Sequence, residues 1–285
     1  MTKRTILITG AGSGFGRETA LRLAGMGHDV IAGVEIVAQI DGLEREARER
    51  GVTLRVEKLD VTDPVDHQLA WQWDVDVLLN NAGISEGGAM ADIPAERLRQ
   101  QFEVNVFGPM LLTQGFARQM VQRGTGRIVF MSSVAGLTVD PFTGAYSGSK
   151  HAVEAFAEAL YKELKTSGVE VATINPGPFL TGFNDRMFET PRRWHDEPSE
   201  RVFDYERLSF PHQQFDPEPV IAKTLSVLLE ENAAYRNVVP ESLVEQTKSQ
   251  HAGIWQRCIK DGCGERHELV QAAYDMRPAT PVDER

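Results

Sequence analysis

The sequence predicts a single doubly wound α/β domain, a seven-stranded parallel sheet with helices on both faces. Three observations carry this expectation. Short runs rich in Val and Ile recur along the chain, each followed by a longer amphipathic stretch, and that strand-then-helix rhythm belongs to parallel sheets covered on both sides. Gly10, Gly12, Gly14 and Gly16 punctuate the passage from the first run into the first helical pattern. With 285 residues, 41% of them hydrophobic, the chain can bury a full core.

Taken in order, the strands are expected at Thr5–Thr9, Asp29–Val34, Thr53–Lys58, Val75–Leu79, Arg127–Met131, Val169–Ile174 and Asn237–Val239. The helices between them are expected at Phe15–Gly25, Val37–Arg50, Pro64–Trp71, Ala95–Arg123, Ala145–Ser167 and Pro217–Glu231, several opened by Pro or an acidic residue. The rhythm breaks at 178–215. There Pro178, Pro191, Pro198 and Pro211 stand among Phe179, Phe183, Phe188, Trp194, Phe203, Tyr205, Phe210 and Phe215 without a clean period. A long irregular insert in a compact domain is usually functional, and this one reads as a lid. Residues 1–240 thus form the main domain, and 241–285 a helical extension and tail.

A net charge of -11 disfavours nucleic acid or an anionic membrane surface as the main partner and leaves a small molecule. The two cysteines, Cys258 and Cys263, lack the companions a zinc site needs, so no metal is expected. The N-terminal MTKRTILITG has no signal-peptide core, and no stretch reaches the length of a membrane span, which places the protein in the cytoplasm.

Strand, glycines and helix in succession are the context of a dinucleotide-binding turn. Glycines let the backbone approach a pyrophosphate, and the helix beginning there directs its free N–H groups and positive dipole end at the phosphates. The spacing here is Gly-x-x-x-Gly-x-Gly from Gly10 to Gly16, with Ser13 and Phe15 inside it. The adenine-ribose acceptor belongs about twenty residues on, where Val34 is followed by Glu35. A carboxylate accepts from a ribose 2′-hydroxyl and repels a 2′-phosphate, and no Arg or Lys lies between Gly33 and Glu44, so NAD is expected over NADP. The alternative is that Glu35 simply faces solvent.

Thr9-Gly10-x-x-x-Gly14-x-Gly16, Asn80-Asn81-Ala82-Gly83, Ser133, Tyr146-x-x-x-Lys150 and Asn175-Pro176-Gly177 stand in the order and spacing of the short-chain dehydrogenase/reductase family. The resemblance covers roughly the first 240 residues. It implies a Rossmann-fold, NAD(P)-dependent oxidoreductase that moves a hydride between the cofactor and an alcohol or carbonyl carbon. The residues support this independently. A Tyr and a Lys four apart on a helix share a face, so the Lys150 ammonium favours the Tyr146 phenolate and draws its pKa from about 10 toward the working range, making Tyr146 a general acid or base. Ser133 follows the fifth strand, at the edge facing the ligand crevice, and resembles the family serine that orients the substrate oxygen; Ser132 is its neighbour and competitor.

By the same resemblance Asn105 holds a water relay behind the lysine, the alternative being a buried structural Asn. Asn81, Ala82 and Gly83 pass under the adenine ribose, and Asp60 and Val61 meet the adenine ring. In Pro176-Gly177-Pro178-Phe179-Leu180-Thr181, a backbone group near Phe179 binds the carboxamide and Thr181 reaches the phosphates or amide. Gly148 stands where relatives often carry Ala, and Val34 where many NAD-preferring members carry an acidic residue.

The lid aromatics, with Ile84, Leu137 and Phe142, suggest an apolar pocket wall and a hydrophobic ketone or secondary alcohol as substrate, with Phe142 and Phe183 beside Ser133 and Tyr146 at the reacting carbon. Arg192 and Arg193 either grip an anionic substrate group or are solvated. An aldehyde, sugar or polyol substrate, an epimerase or dehydratase, and a dinucleotide-binding regulator without turnover remain the other readings. The apolar faces of the fourth and fifth helical stretches suggest a homodimer or homotetramer.

Overall fold

The computed structural model describes residues 2–276. Its strands are β1 (Thr5–Ile8), β2 (Asp29–Val34), β3 (Arg55–Lys58), β4 (Val77–Asn80), β5 (Gly126–Met131), β6 (Val169–Pro176) and β7 (Arg236–Val239). They form one seven-stranded sheet in the order β3-β2-β1-β4-β5-β6-β7. Every adjacent pair is parallel, so all the strands end on the same edge. The helices are α1 (Gly14–Gly25), α2 (Ile40–Glu49), α3 (Pro64–Ala70), α4 (Ala95–Phe102), α5 (Gly108–Arg123), α6 (Gly144–Glu163), α7 (Phe183–Glu189), α8 (Glu218–Leu229), α9 (Leu243–Ile254) and α10 (Glu268–Asp275).

Side chains alternate across each strand, and both faces are dry. Ile6, Ile8, Leu79 and Val129 pack against Ala20 and Leu23 of α1, Leu43 of α2 and Val227 and Leu228 of α8. On the opposite face Leu7, Leu78, Ile128 and Phe130 meet Leu112 and Phe116 of α5 and Val153 and Ala157 of α6. Each fully buried Leu, Ile or Phe contributes about 1.5–3 kcal/mol, and this two-sided burial holds the sheet. Local signals set the helix ends. Asp63 caps α3 by accepting from the Val65 N–H at 2.8 Å, with Pro64 in the first turn, and Gly124 closes α5 in the left-handed conformation at φ 71°.

The continuous helix expected over 95–123 is instead α4, a π-helical turn at Glu103–Phe107, and α5. Pro109 explains the difference: it has no N–H to give the Asn105 carbonyl four residues back, and the ladder widens. The helix expected over 37–50 likewise begins as a 3₁₀ turn at Val37–Gln39 before α2.

The lid region carries α7 and short 3₁₀ turns around a core of its own, in which Phe142, Met187, Phe188, Trp194, Tyr205 and Leu208 are buried. After β7 the chain runs through α9 and returns in α10, where Ala273 enters the lid core and accepts from the Ser209 N–H at 3.0 Å. Residues 277–285 of the expected tail lie outside the described residues.

The chain runs outward through β1, β2 and β3 and then returns to lay β4 against the free side of β1. A compact brace joins the two strand ends there: the buried Thr9 Oγ1 accepts from the N–H groups of Asn81 and Ala82, each at 3.0 Å, and the Asn81 amide donates to the Thr9 carbonyl at 2.9 Å. Thr9→Val keeps the shape but leaves both N–H groups unsatisfied. It is expected to lower unfolding free energy by about 2–4 kcal/mol, read as a fall in the urea midpoint with an unchanged slope.

Candidate active site

A cleft of about 540 Å³ runs along the edge where the strands end, lined by residues that follow β1 through β6. At one end lies the turn between β1 and α1. Gly10 has φ 64°, and a Cβ there would come within 2.6 Å of Ala82 Cα; at Gly16 it would meet the Asn81 amide and lie 2.7 Å from the Gly10 carbonyl. The loop therefore lies against the floor made by Asn81, Ala82 and Gly83. At Gly14 a Cβ would meet no protein atom within 4 Å, so the space above that residue is open. Ser13 caps α1 without a side-chain bond, and the first turn holds no acidic side chain, which leaves helix N–H groups directed at that space. A diphosphate fits this cradle.

Gly10, Ser13, Gly14, Phe15, Glu35, Asp60, Val61, Asn81, Ala82 and Gly83 all border the cleft, while Gly16 supports the turn from behind. Asp60 is set by α3, whose buried Asp66 accepts from the Asp60 N–H at 2.7 Å. Pro176, Gly177, Phe179 and Thr181 line the cleft beyond β6, followed by Phe183, Asn184 and Arg186 of the lid.

The other end holds Ser133, Tyr146 and Lys150. Tyr146 and Lys150 share a face of α6, with Lys150 Nζ 5.7 Å from the centre of the Tyr146 ring and donating to the Met131 carbonyl at 2.8 Å. Both are buried. Burial pushes the Tyr146 phenol up to about 12, with the Ser133 hydroxyl acting in the opposite direction. Burial likewise brings the Lys150 ammonium down to about 8, with Glu154 opposing. The Tyr146 and Lys150 spacing predicts a lowered phenol; in the chain alone desolvation dominates and raises it. Ser133 Oγ donates to the Pro176 carbonyl at 3.2 Å and accepts from the Ala135 N–H, whereas the buried Ser132 hydroxyl has no partner among the described residues.

Several expected residues sit away from the cleft. Asn105 is buried behind Gly83, its amide committed to both backbone groups of Ile84 and, at 3.1 Å, to Ser149 Oγ. Phe142 is in the lid core, its ring edge-on to Phe188, Phe203 and Tyr205, and does not border the cleft. Phe183 does border it, with its ring 5.6 Å from that of Tyr146. Trp194 also turns inward, donating to Glu86 at 2.7 Å. Arg192 donates to the Glu206 carbonyl and Arg193 pairs loosely with Glu189; Arg186, which the sequence reading passed over, is the lid arginine on the cleft. Gln39 was also missed: its amide carbonyl accepts from the Ile36 N–H at 3.3 Å, and the side chain reaches over Gly12. No periodicity in the sequence marks such a reach.

The family profile described as short chain dehydrogenase matches residues 4–192. The chain belongs to the short-chain dehydrogenase/reductase family. It is an oxidoreductase of a family that uses NAD(P) and acts on small molecules. The chain is 35% identical over 239 residues to the uncharacterized oxidoreductase YbbO of Escherichia coli (strain K12), covering 82% of this chain and 84% of that protein. It is 36% identical over 191 residues to a 3-ketodihydrosphingosine reductase of Bacteroides thetaiotaomicron, covering 65% and 67%. The solved short-chain dehydrogenase/reductase of Burkholderia phymatum in complex with NAD superposes with a TM-score of 0.75 at 25% identity, covering 90% of this chain and 96% of that one. Among the described residues no helix is long and apolar enough to cross a membrane.

Gly14→Ala places its methyl group in open space at φ 55°. It is expected to cost about 1–2 kcal/mol of stability, from the left-handed backbone. NAD(P)H affinity, followed by nicotinamide fluorescence, should fall at least tenfold, since the methyl occupies the volume over the helix N–H groups.

Proposed function

We propose that the protein reduces a hydrophobic ketone, or oxidises the matching secondary alcohol, with Tyr146 as general acid or base. The observation that carries this reading is the meeting of Tyr146, Lys150 and Ser133 in the cleft, with the Phe183 ring 5.6 Å from that of Tyr146. The bound nicotinamide supplies or accepts the hydride. Gly10, Ser13, Gly14, Phe15 and Gly16 would seat its diphosphate, Asp60 and Val61 would meet the adenine ring, and Asn81, Ala82 and Gly83 would lie under the adenine ribose. Pro176, Gly177, Phe179 and Thr181 position the carboxamide end.

Ser133 orients the substrate oxygen toward the Tyr146 hydroxyl, which gives up its proton as a ketone is reduced and takes one as an alcohol is oxidised. Lys150 stabilises the resulting phenolate, offsetting the burial that otherwise opposes it. Asn105 braces the Ile84 loop and Ser149 behind the lysine.

Phe183 and Ile84 supply apolar wall close to Tyr146 and favour a hydrophobic substrate; Phe142 supports that wall from within the lid. The relative named for 3-ketodihydrosphingosine, a ketone on an aliphatic chain, supports the same class. Exposed Phe107, Leu111 and Phe156 on and beside α5 and α6 fit pairing of copies into a homodimer or homotetramer. The free, exposed Cys258 and Cys263 fit the reducing cytoplasm.

Replacing Tyr146 by Phe removes only the hydroxyl. Turnover of a bulky ketone with NADH is expected to fall about 100-fold to 10,000-fold while NADH binding changes less than about threefold; retained turnover overturns the mechanism. Cofactor choice rests on Glu35, exposed at the adenine end with Gln39 beside it. NADH is expected to bind more tightly than NADPH, by about tenfold or more from the carboxylate's repulsion of a 2′-phosphate, and Glu35→Ala should close the gap. Equal binding in the wild type refutes that choice.

A further inference from the structure

Among the buried charged residues not yet given a role, Glu154 lies nearest the site in sequence. Glu154 follows Lys150 by four residues on α6, so the two occupy adjacent turns of one face, with Cβ atoms about 5–6 Å apart. Glu154 is only 6% exposed. Burying a lone carboxylate is costly, and this one is compensated on two sides. Oε1 accepts from Asn175 Nδ2 at 2.6 Å and Oε2 from Arg236 Nη2 at 2.8 Å. Asn175 is itself fully buried at the end of β6, accepting from Thr173 Oγ1 at 3.1 Å and donating to the Ser133 carbonyl at 3.3 Å. The carboxylate therefore joins the edge strand β7, through Arg236, to the serine loop after β5, from one helical turn beyond the lysine.

We propose that Glu154 is a positioning residue for the Tyr146 and Lys150 site, holding the Lys150 ammonium in its charged form and seating Ser133 through Asn175. The catalytic part of this inference rests on the function proposed above. Lys150 otherwise makes one neutral hydrogen bond, to the Met131 carbonyl, in surroundings that oppose its charge. The groups facing the lysine are Tyr146 and Glu154 on its own helix, the strand β5 carbonyl, and the Gly83 backbone with Asn105 behind it. Of these, Glu154 alone brings a full opposite charge. Around Glu154 the charged and titratable groups are Lys150, Arg236, Tyr235 and, one turn further along α6, Glu158 and Tyr161. Arg236, paired with the same carboxylate, adds a positive charge that opposes the Lys150 charge which Glu154 favours.

The test reads Lys150 directly in the cofactor-free protein, from the pH titration of its ¹³Cε resonance in lysine-labelled protein, assigned by its loss in K150M. Glu154→Gln keeps an acceptor for Asn175 but removes the charge, and the midpoint is expected to fall by about one pH unit. E154D should restore most of that shift. Arg236→Gln removes the cation that offsets the carboxylate and should move the midpoint upward. A midpoint unchanged in both Glu154→Gln and Arg236→Gln overturns the proposal, and if Glu154→Gln does not fold, an unchanged or lower midpoint in Arg236→Gln alone does so. In wild type, ketone reduction should decline as pH rises through the Lys150 midpoint, because the charge is present below it and lost above it, and Glu154→Gln should begin that decline at lower pH. Shifted titrations without any NADH-dependent turnover refute the function proposed above and leave the electrostatic role of Glu154 intact.

Discussion

Everything at the site depends on how two strand ends are tied together where the sheet changes direction. β1 and β4 are neighbours in space but separated by two intervening strands and three helices in sequence. At their carboxyl ends Thr9 takes both Asn81 and Ala82 N–H groups, while Asn81 returns a bond to the Thr9 carbonyl. With the two loops fixed to each other, Gly10 and Gly16 can lie against them with no room for a side chain, and the start of α1 is directed into the cleft. An open α/β sheet has its natural crevice at such a reversal, because the loops on either side part in opposite directions.

The same compactness creates the chemical difficulty at the other end. Burying a phenol and an ammonium together biases both toward their neutral forms, pushing the phenol up to about 12 and the ammonium down to about 8. The protein answers with fixed groups rather than with solvent: a serine hydroxyl toward the phenol, a backbone carbonyl on the ammonium and a carboxylate one turn away. Their positions are inherited from strands β5, β6 and β7. Shielding from water and preorganised polarity are thus two results of one packing arrangement.

Much of this was legible beforehand, for physical reasons. Strand positions followed from apolar runs in a sheet buried on both faces; β2 has the expected bounds, and each other strand differs at one or both ends by one or two residues. The glycine turn and the Tyr146 and Lys150 spacing are local patterns, so their proximity needed no long-range knowledge. The π-helical turn was missed although Pro109 signalled it, because apolar periodicity continues across the break. Phe142 and Trp194 were read as pocket wall from their apolarity, which cannot distinguish a ring facing ligand from one facing the lid's own core. Gln39, Arg186 and Glu154 were invisible for a related reason. Each acts through a tertiary juxtaposition, and a lone glutamine, arginine or glutamate on a helix has the sequence character of a solvated residue.

The return of α10 onto the lid has a consequence for modularity. The apolar segment between β6 and α8 would otherwise be an exchangeable cassette, its ends both at one edge of the sheet. Ala273 closes the cassette's core, and its carbonyl takes the Ser209 N–H, so the insert is completed by residues some sixty positions further along the chain. Transplanting 178–215 onto another scaffold would move an unfinished core. A lid recast for another substrate must therefore keep, or change together with, its packing against α10.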